Sequence, residues 1–488
     1  MSATLSTGLL PATPTHHKGS VKLFDHIIAS EKSSNPIRIT AVAEADFKNW
    51  LGKQTNGHQA WVKSSGYEGK RGTHLALPGE AGAYQTVVIS YVDDAKTQWD
   101  FAALPGALPV GEYILTDDVT ENDAVCEKAV LGLYLGGYRF DRYRKSDAST
   151  AKRALFAIPA NDAAKRAENI ARGIGLARDL INIPANDMGP QELEAAARRL
   201  GEEFGAKITS IVGEDLNKRN FPAIYTVGKG SDRDPRLIDL RWGDESGPKI
   251  TLVGKGVCFD TGGYDLKPSS NMLLMKKDMG GSAQVLGLAR MIMAAGLPVR
   301  LRVLIPAVEN MVSGKAYRPS DILQTRKGIT VEVGNTDAEG RLVLSDALTE
   351  AVAEDPEMLL DFATLTGAAR VALGLGLPAL FSNNDDLANG LLENGLALND
   401  PMWRLPLWDD YRPMLDSKAA DMNNISGSPY GGAIIAALFL DRFVEGAKAW
   451  AHIDLMAWNP SARPGRPEGG EAQGIRAAFK LIADRYGK

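Results

Sequence analysis

Residues 250–268 read Ile250-Thr-Leu-Val253-Gly-Lys-Gly-Val-Cys-Phe-Asp-Thr-Gly-Gly-Tyr-Asp-Leu-Lys-Pro268. A short apolar run stops at a charged residue, Lys255, and a glycine-rich stretch carrying Asp260 and Lys267 follows. Such a run, bounded by glycine, reads as a buried strand that empties into a polar loop. Outward from it, β-rich runs at Val299 to Ile305, Thr330 to Val333, Met358 to Ala363 and Trp450 to Leu455 alternate with helical patterns at Ser282 to Ala295, Val343 to Glu354 and Ile434 to Val444. This alternation predicts a large α/β/α sandwich around a central, largely parallel mixed sheet. In such sheets ligands collect at the carboxyl ends of the strands, where the quoted loop begins.

Upstream the pattern differs. Residues 1–160 read as a small N-terminal α/β domain, with a strand at Thr86 to Val92 and helical pieces at Ala41 to Leu51 and Ala124 to Leu135. Asn161 and Asp162 are N-cap residues for a helix whose apolar positions Ala163, Ala167, Ile170, Ile174, Ala177 and Ile181 trace one face until Pro184 stops it. The division expected is therefore 1–160 and 161–488, the second part opening with a linker helix at about 161–183.

Composition narrows the chemistry. A chain of 488 residues with 44% hydrophobic and 24% charged residues is a globular protein, neither fibrous nor disordered. Two cysteines, Cys126 and Cys258, build no disulfide framework, and no apolar stretch approaches the roughly 18 residues that cross a bilayer. A soluble, cytoplasmic protein is expected. The first 150 residues hold 15 Lys+Arg against 17 Asp+Glu, so the basic excess of a nucleic-acid surface is missing there. Five of six histidines lie in the first 74 residues, leaving only His452 beyond them. A three-histidine metal site in the second half is excluded.

Three polar clusters follow strand ends: the quoted loop, Met275-Lys-Lys-Asp-Met-Gly-Gly281, and Asn335-Thr-Asp-Ala-Glu-Gly-Arg341. Singly, each reads as ordinary turns, caps and ion pairs. Together, they put four carboxylates, two lysines and an arginine at loop exits of one sheet. Asp337 and Glu339, two apart, share a side if that segment is extended. Crowded carboxylates repel unless cations compensate them, and two divalent ions balance Asp260, Asp278, Asp337 and Glu339 to zero. Two such ions can share a hydroxide nucleophile and polarise a carbonyl, with Lys267 and Arg341 suited to the developing oxyanion. Near dications Lys255 can lose its proton and serve as a neutral ligand. The class implied is metal-assisted hydrolysis.

These motifs, together with Glu309-Asn-Met311, Ala363-Thr-Leu-Thr-Gly-Ala368 and Trp450-Ala-His-Ile-Asp454, closely resemble the leucyl aminopeptidase (cytosol aminopeptidase) family of two-metal exopeptidases, in order, over roughly residues 175–480. The resemblance implies release of leucine and other N-terminal residues from peptides with a free N-terminus. It implies that Asp260 and Glu339 bridge two Mn²⁺ or Zn²⁺ ions, Lys255 and Asp278 completing one site and Asp337 the other. By the same resemblance Lys267 and Arg341 are catalytic, and bicarbonate binds near Arg341. Substrate contacts fall to Lys267, Met275, Asn335, Thr364, Leu365 and Gly367, and the assembly is a homohexamer. His452 and Asp454 read as structural. Cys258, Tyr264, Asp265 and the loop Asn424 to Gly432 depart from the family's usual pattern. Two rival readings are an additional DNA-binding regulatory role and an inactive structural paralogue.

Overall fold

The computed structural model describes residues 23–33, 35–79, 84–145 and 153–487. It divides into two units, one running to Gly175 and including Ser461–Glu468, the other formed by Leu176–Pro460 and Gly469–Lys488. The first unit holds strands β1 (Ile27–Ala29), β2 (Ile37–Ala43), β3 (His74–Pro78), β4 (Tyr84–Tyr91), β5 (Gly111–Leu115) and β6 (Ala154–Ile158). They form one sheet in the order β1-β6-β5-β2-β4-β3. Only β3 runs antiparallel to its neighbour.

One local expectation fails in this unit. Ala41–Ala43, expected to open a helix, instead complete β2, and the helix is confined to Phe47–Gly52. The reason is tertiary: Ala41 pairs with Ile89 of β4, and Val42 is buried against Leu77 and Val88. Strand pairing outweighs the helical preference of the two alanines, helped by the β-branched Val42 between them. The helical piece near residues 124–135 appears as Asp123–Gly136. The long amphipathic helix spans Asp162–Asn182, and Asn161 Oδ1 caps it by accepting the Ala164 amide at 2.9 Å.

The second unit is built on strands β7 (Lys207–Val212), β8 (Arg236–Trp242), β9 (Lys249–Gly254), β10 (Gly256–Asp260) and β11 (Arg300–Asn310). A small sheet follows, with β12 (Ile322–Gln324) and β13 (Thr330–Glu332); then come β14 (Met358–Ala363), β15 (Ala379–Ser382), β16 (Trp403–Arg404), β17 (Met422–Asn423, paired to β13) and β18 (Trp450–Asp454). The main sheet has the order β16-β15-β18-β14-β9-β11-β8-β7, and β10 also pairs with β11. Its centre, β18-β14-β9-β11-β10, is parallel; β7, β8 and β15 add antiparallel pairs toward the edges.

Central strands covered on both faces read as unbroken apolar runs, as Ile250, Leu252 and Val253 do at 0% exposure. Residues of the helices Glu339–Val352 and Gly432–Asp441 share a core cluster with Val253, Leu304 and Leu359. The helix Gly280–Ala294 packs on β9 and β14 and is buried along nearly all its length. Each large aliphatic side chain sequestered in this way stabilises the fold by about 1.5–3 kcal/mol. No helix among the described residues is long and apolar enough to cross a membrane.

Candidate active site

The long strand β11 decides where the site forms. Its first half pairs with β9 and its second half with β10, so the chain between β9 and β10 breaks at one residue, Lys255. The Lys255 amide still donates to Phe362 O of β14 at 3.0 Å. Its side chain is thereby delivered into the cleft that opens between β10 and β14. Asp260 ends β10, Asn310 ends β11, Thr364 follows β14 and Asp454 ends β18, all at the same carboxyl edge.

Two glycines make the approach feasible. A Cβ on Gly340 would lie 2.7 Å from Lys255 Nζ, and one on Gly281 would lie 2.0 Å from Phe362 O and 2.8 Å from the Lys255 amide. Both positions are close contacts that any side chain would spoil.

Lys255 Nζ lies 2.8 Å from both Asp278 Oδ2 and Glu339 Oε1, and Lys267 Nζ lies 2.8 Å from Asp260 Oδ2 while also contacting Asp337 Oδ1. Asp260, Asp337 and Glu339 each offer an oxygen within 4.8 Å of the others. Asp337 and Glu339 are not extended as the two-residue spacing suggested: Glu339 is the first residue of its helix, and Asp337 sits in the preceding turn, its amide held by Asn335 Oδ1 at 2.6 Å. The carboxylates converge all the same, Asp337 meeting Lys267 and Glu339 meeting Lys255.

Burial with Asp278 nearby raises the Asp260 carboxyl to about 6, and burial with Asp260 nearby raises Glu339 to about 7. Burial opposes ionisation of Asp278 too, but Lys255 and its neighbouring cations overcome it and hold that carboxyl low. Burial alone would strip Lys255 of its proton, yet the surrounding carboxylates outweigh it and hold the ammonium form. A neutral Lys255 therefore needs the opposing field of a dication. Glu339 Oε2 is buried with no hydrogen-bond partner. A buried carboxylate oxygen left bare, beside two acids within reach, fits a divalent cation, which prefers such anionic oxygen donors.

A pocket of about 380 Å³ opens on this cluster. Its walls include Lys255, Asp260, Lys267, Asp278, Asp337 and Glu339, and also Met275, Thr364, Leu365 and Gly367. Arg341 and Asn335 are not among its walls. Arg341 is buried, donates from Nη1 to Asn424 O at 2.7 Å, and keeps Nε without a partner; burial pushes its guanidinium down to about 10. A larger cavity of about 500 Å³ near Arg233 makes less demand on a ligand, because Glu309 already takes Arg233 Nη1 at 3.2 Å and Ser231 Oγ at 2.6 Å.

Several residues that hold the site together carry no sequence signal beyond membership of a motif. Asn310 Nδ2 donates to Asp260 Oδ1 at 2.8 Å and to Thr336 O at 3.0 Å, tying the first polar cluster to the third. Asp265 Oδ2 accepts the Thr336 amide at 2.7 Å, so the unusual loop residue has a local structural purpose. Asn424 Oδ1 accepts the Gly334 amide at 2.8 Å, and Asp454 accepts the Leu365 amide at 2.9 Å and Thr366 Oγ1 at 2.6 Å. His452 Nδ1 donates to Asp361 Oδ1 at 2.5 Å inside the sheet, away from the pocket walls. Lys277 and Arg370 also line the pocket, and neither was singled out from the sequence.

Comparison with known proteins points one way. Residues 175–479 match the cytosol aminopeptidase family, catalytic domain, and residues 37–156 match the M17 aminopeptidase, N-terminal domain. A probable cytosol aminopeptidase of Syntrophotalea carbinolica is 39% identical over 450 residues, covering 86% of this chain and 90% of that protein. The crystal structure of cytosol aminopeptidase from Coxiella burnetii superposes with a TM-score of 0.89 at 50% identity, covering 95% of this chain and all (100%) of that one. The bottromycin maturation enzyme BotP in complex with Mn superposes with a TM-score of 0.82 at 31% identity, covering 93% of this chain and 100% of the other.

Proposed function

The chain belongs to the cytosol aminopeptidase family and is an aminopeptidase of that metal-dependent group, and from this premise we propose how its residues divide the work. The observation that carries the assignment is the bare, buried Glu339 oxygen facing a pocket walled by Asp260, Asp278 and Asp337. Lys255, Asp260, Asp278, Asp337 and Glu339 would together hold two divalent ions, Mn²⁺ or Zn²⁺. When bound, such ions supply Lewis-acid polarisation of the scissile carbonyl and activation of water at neutral pH.

The chain's own groups supply the rest. The carboxylate cluster and the ions it would hold receive the peptide's free α-amine in its neutral form, which selects free N-termini such as that of a leucyl peptide. Thr364, Leu365 and Gly367 hold the peptide backbone on a loop that Asp454 fixes by accepting from the Leu365 and Thr366 amides and from Thr366 Oγ1. Met275 forms an apolar wall for the first side chain, and Asn335 holds the Asp337 turn from which substrate is approached. Lys267, beside Asp260 and Asp337, donates to the oxyanion that develops as the carbonyl becomes tetrahedral. Arg341, with its unpartnered Nε, would hold bicarbonate as a proton relay, which suits a site without a histidine or a free carboxylate base. Residues 161–488 form the catalytic part, the assembly is a homohexamer, and the enzyme works in the cytoplasm. No observation favours the DNA-binding reading.

Hydrolysis of leucine p-nitroanilide after complete chelation, followed by readdition of Mn²⁺ or Zn²⁺, tests the reading. Activity should vanish and return; activity that survives metal removal refutes it. Lys267→Ala should lower kcat at unchanged metal content, whereas Asp260→Ala should also lose bound metal. Equal metal content in both variants would overturn the division of roles.

A further inference from the structure

Two adjacent lysines in the turn Met275–Met279 have opposite surroundings. Lys276 Nζ donates to Asn182 O at 2.8 Å and lies 5.3 Å from the centre of the Trp458 ring, so its charge is met on two sides. Lys277 is only 1% exposed, lines the substrate pocket, and has no hydrogen-bond partner for Nζ. Leaving a buried amine bare is unfavourable, and a folded protein retains such a group where something else completes it. The chemistry of an amine says what would: it only donates, and it pairs most strongly with an anionic oxygen. Arg370 is also a pocket wall and makes no ion pair among the described residues. This side of the pocket thus presents two cations, Lys277 and Arg370, without an acidic partner beyond the cluster that receives the α-amine.

We propose that Lys277 is a specificity-determining residue whose Nζ takes the side-chain carboxylate of an acidic first residue, glutamate or aspartate, of the peptide. The inference rests on the aminopeptidase reading of the pocket. Lys277 directly precedes Asp278, one of the carboxylates of the cluster that receives the α-amine, so a side chain leaving the same Cα passes along the wall that Lys277 and Met275 form. Met275 and Leu274 cover the methylene stem of such a side chain, and the amine meets its end. Arg370 adds a second positive charge, which favours an anion over a neutral polar group.

The test compares α-glutamyl-, glutaminyl- and leucyl-p-nitroanilide on the metal-loaded enzyme and on its Lys277→Met variant. Glutamyl and glutaminyl side chains have nearly the same shape and differ in charge. The wild-type kcat/KM should favour glutamyl over glutaminyl by about 10-fold or more, and the variant should lose that ratio while the leucyl-to-glutamyl ratio rises by a similar factor. A second readout needs no turnover: L-glutamate should raise the wild-type Tm more than L-glutamine at equal concentration, and the difference should disappear in the variant. If the wild type cleaves the leucyl substrate but treats glutamyl and glutaminyl alike, a water completes Lys277 and the inference is overturned, with the aminopeptidase reading intact. If none of the three substrates is cleaved after metal loading, the aminopeptidase reading fails instead, and equal Tm shifts for the two amino acids would then overturn the Lys277 assignment independently. Should Lys277→Met fail to fold, the wild-type glutamyl-to-glutaminyl ratio and the two Tm shifts decide the matter alone.

Discussion

Asp361 and Glu339 are two carboxylates buried to the same degree, at 0% and 1% exposure, in the same unit. Asp361 sits inside β14, and both of its oxygens are taken, Oδ2 by Trp450 Nε1 at 2.7 Å and Oδ1 by His452 Nδ1 at 2.5 Å. Glu339 sits at the carboxyl edge and keeps one oxygen without a partner. Burial therefore does not distinguish these two carboxylates; completeness of their hydrogen bonding does. Asp361 has both oxygens taken by neighbouring side chains of the sheet, whereas Glu339 at the carboxyl edge keeps one oxygen open for a ligand.

That contrast is most exposed to Glu339→Gln. Removing this carboxylate's charge should lower kcat/KM by at least about 10³-fold. The Tm measured after chelation should not fall, because a carboxyl that burial already raises to about 7 gains nothing from ionising there. A variant that unfolds more easily but retains most of its activity would reverse the comparison. Asp361→Asn is the converse. It should cost about 3 kcal/mol in urea unfolding, since asparagine keeps only one acceptor oxygen and leaves either His452 Nδ1 or Trp450 Nε1 facing an NH2 group in place of a carboxylate oxygen, while the folded fraction keeps its kcat/KM for leucyl substrate.

Gly340→Ala sharpens the edge side of the comparison. Its Cβ would intrude to 2.7 Å on Lys255 Nζ, so the amine must move away from Glu339, and kcat/KM should fall by about 10- to 100-fold with a stability change near 1 kcal/mol. The smallest effect belongs to the first unit. Burial pushes His26 down to about 4, and its Nε2 lies 2.9 Å from Leu133 O. A base held below its unfolded value of 6.5 contributes stability in full above pH 6.5. That contribution declines as pH falls toward 4, since the unfolded chain binds the proton first. Between pH 6.5 and 5 the loss should be about 2 kcal/mol at this site, read as urea midpoints, and His26→Phe should flatten that slope.

How far the sequence could be read differs from place to place for physical reasons. Strands such as Lys249–Gly254 and Met358–Ala363 were visible because burial on both faces demands unbroken apolar runs. Asp260, Asp278, Asp337 and Glu339 stood out because charged residues among glycines at strand exits are conspicuous. Ala41–Ala43 misled because alanine favours a helix locally while a neighbouring strand claims the segment. Asn310 and Asp454 showed no chemistry in one dimension: each acts through a partner 50 and 89 residues away, Asp260 and Leu365. Lys276 and Lys277 are adjacent and alike in the sequence, and only the fold reveals that one of the pair is satisfied and the other is not.

By itself, then, the order of residues determined the alternation of strand and helix, the class of chemistry and the set of acidic and basic residues, because local periodicity and charge are properties of short segments. Tertiary structure decided which of those charges are finished and which are open. The division of β11 between β9 and β10 puts Lys255 in the cleft, the turn before Glu339 brings Asp337 onto Lys267, and the packing around the Met275–Met279 turn leaves Lys277 bare. Partners such as these are set by distance in space, and no pattern along the chain encodes whether a buried group will meet one.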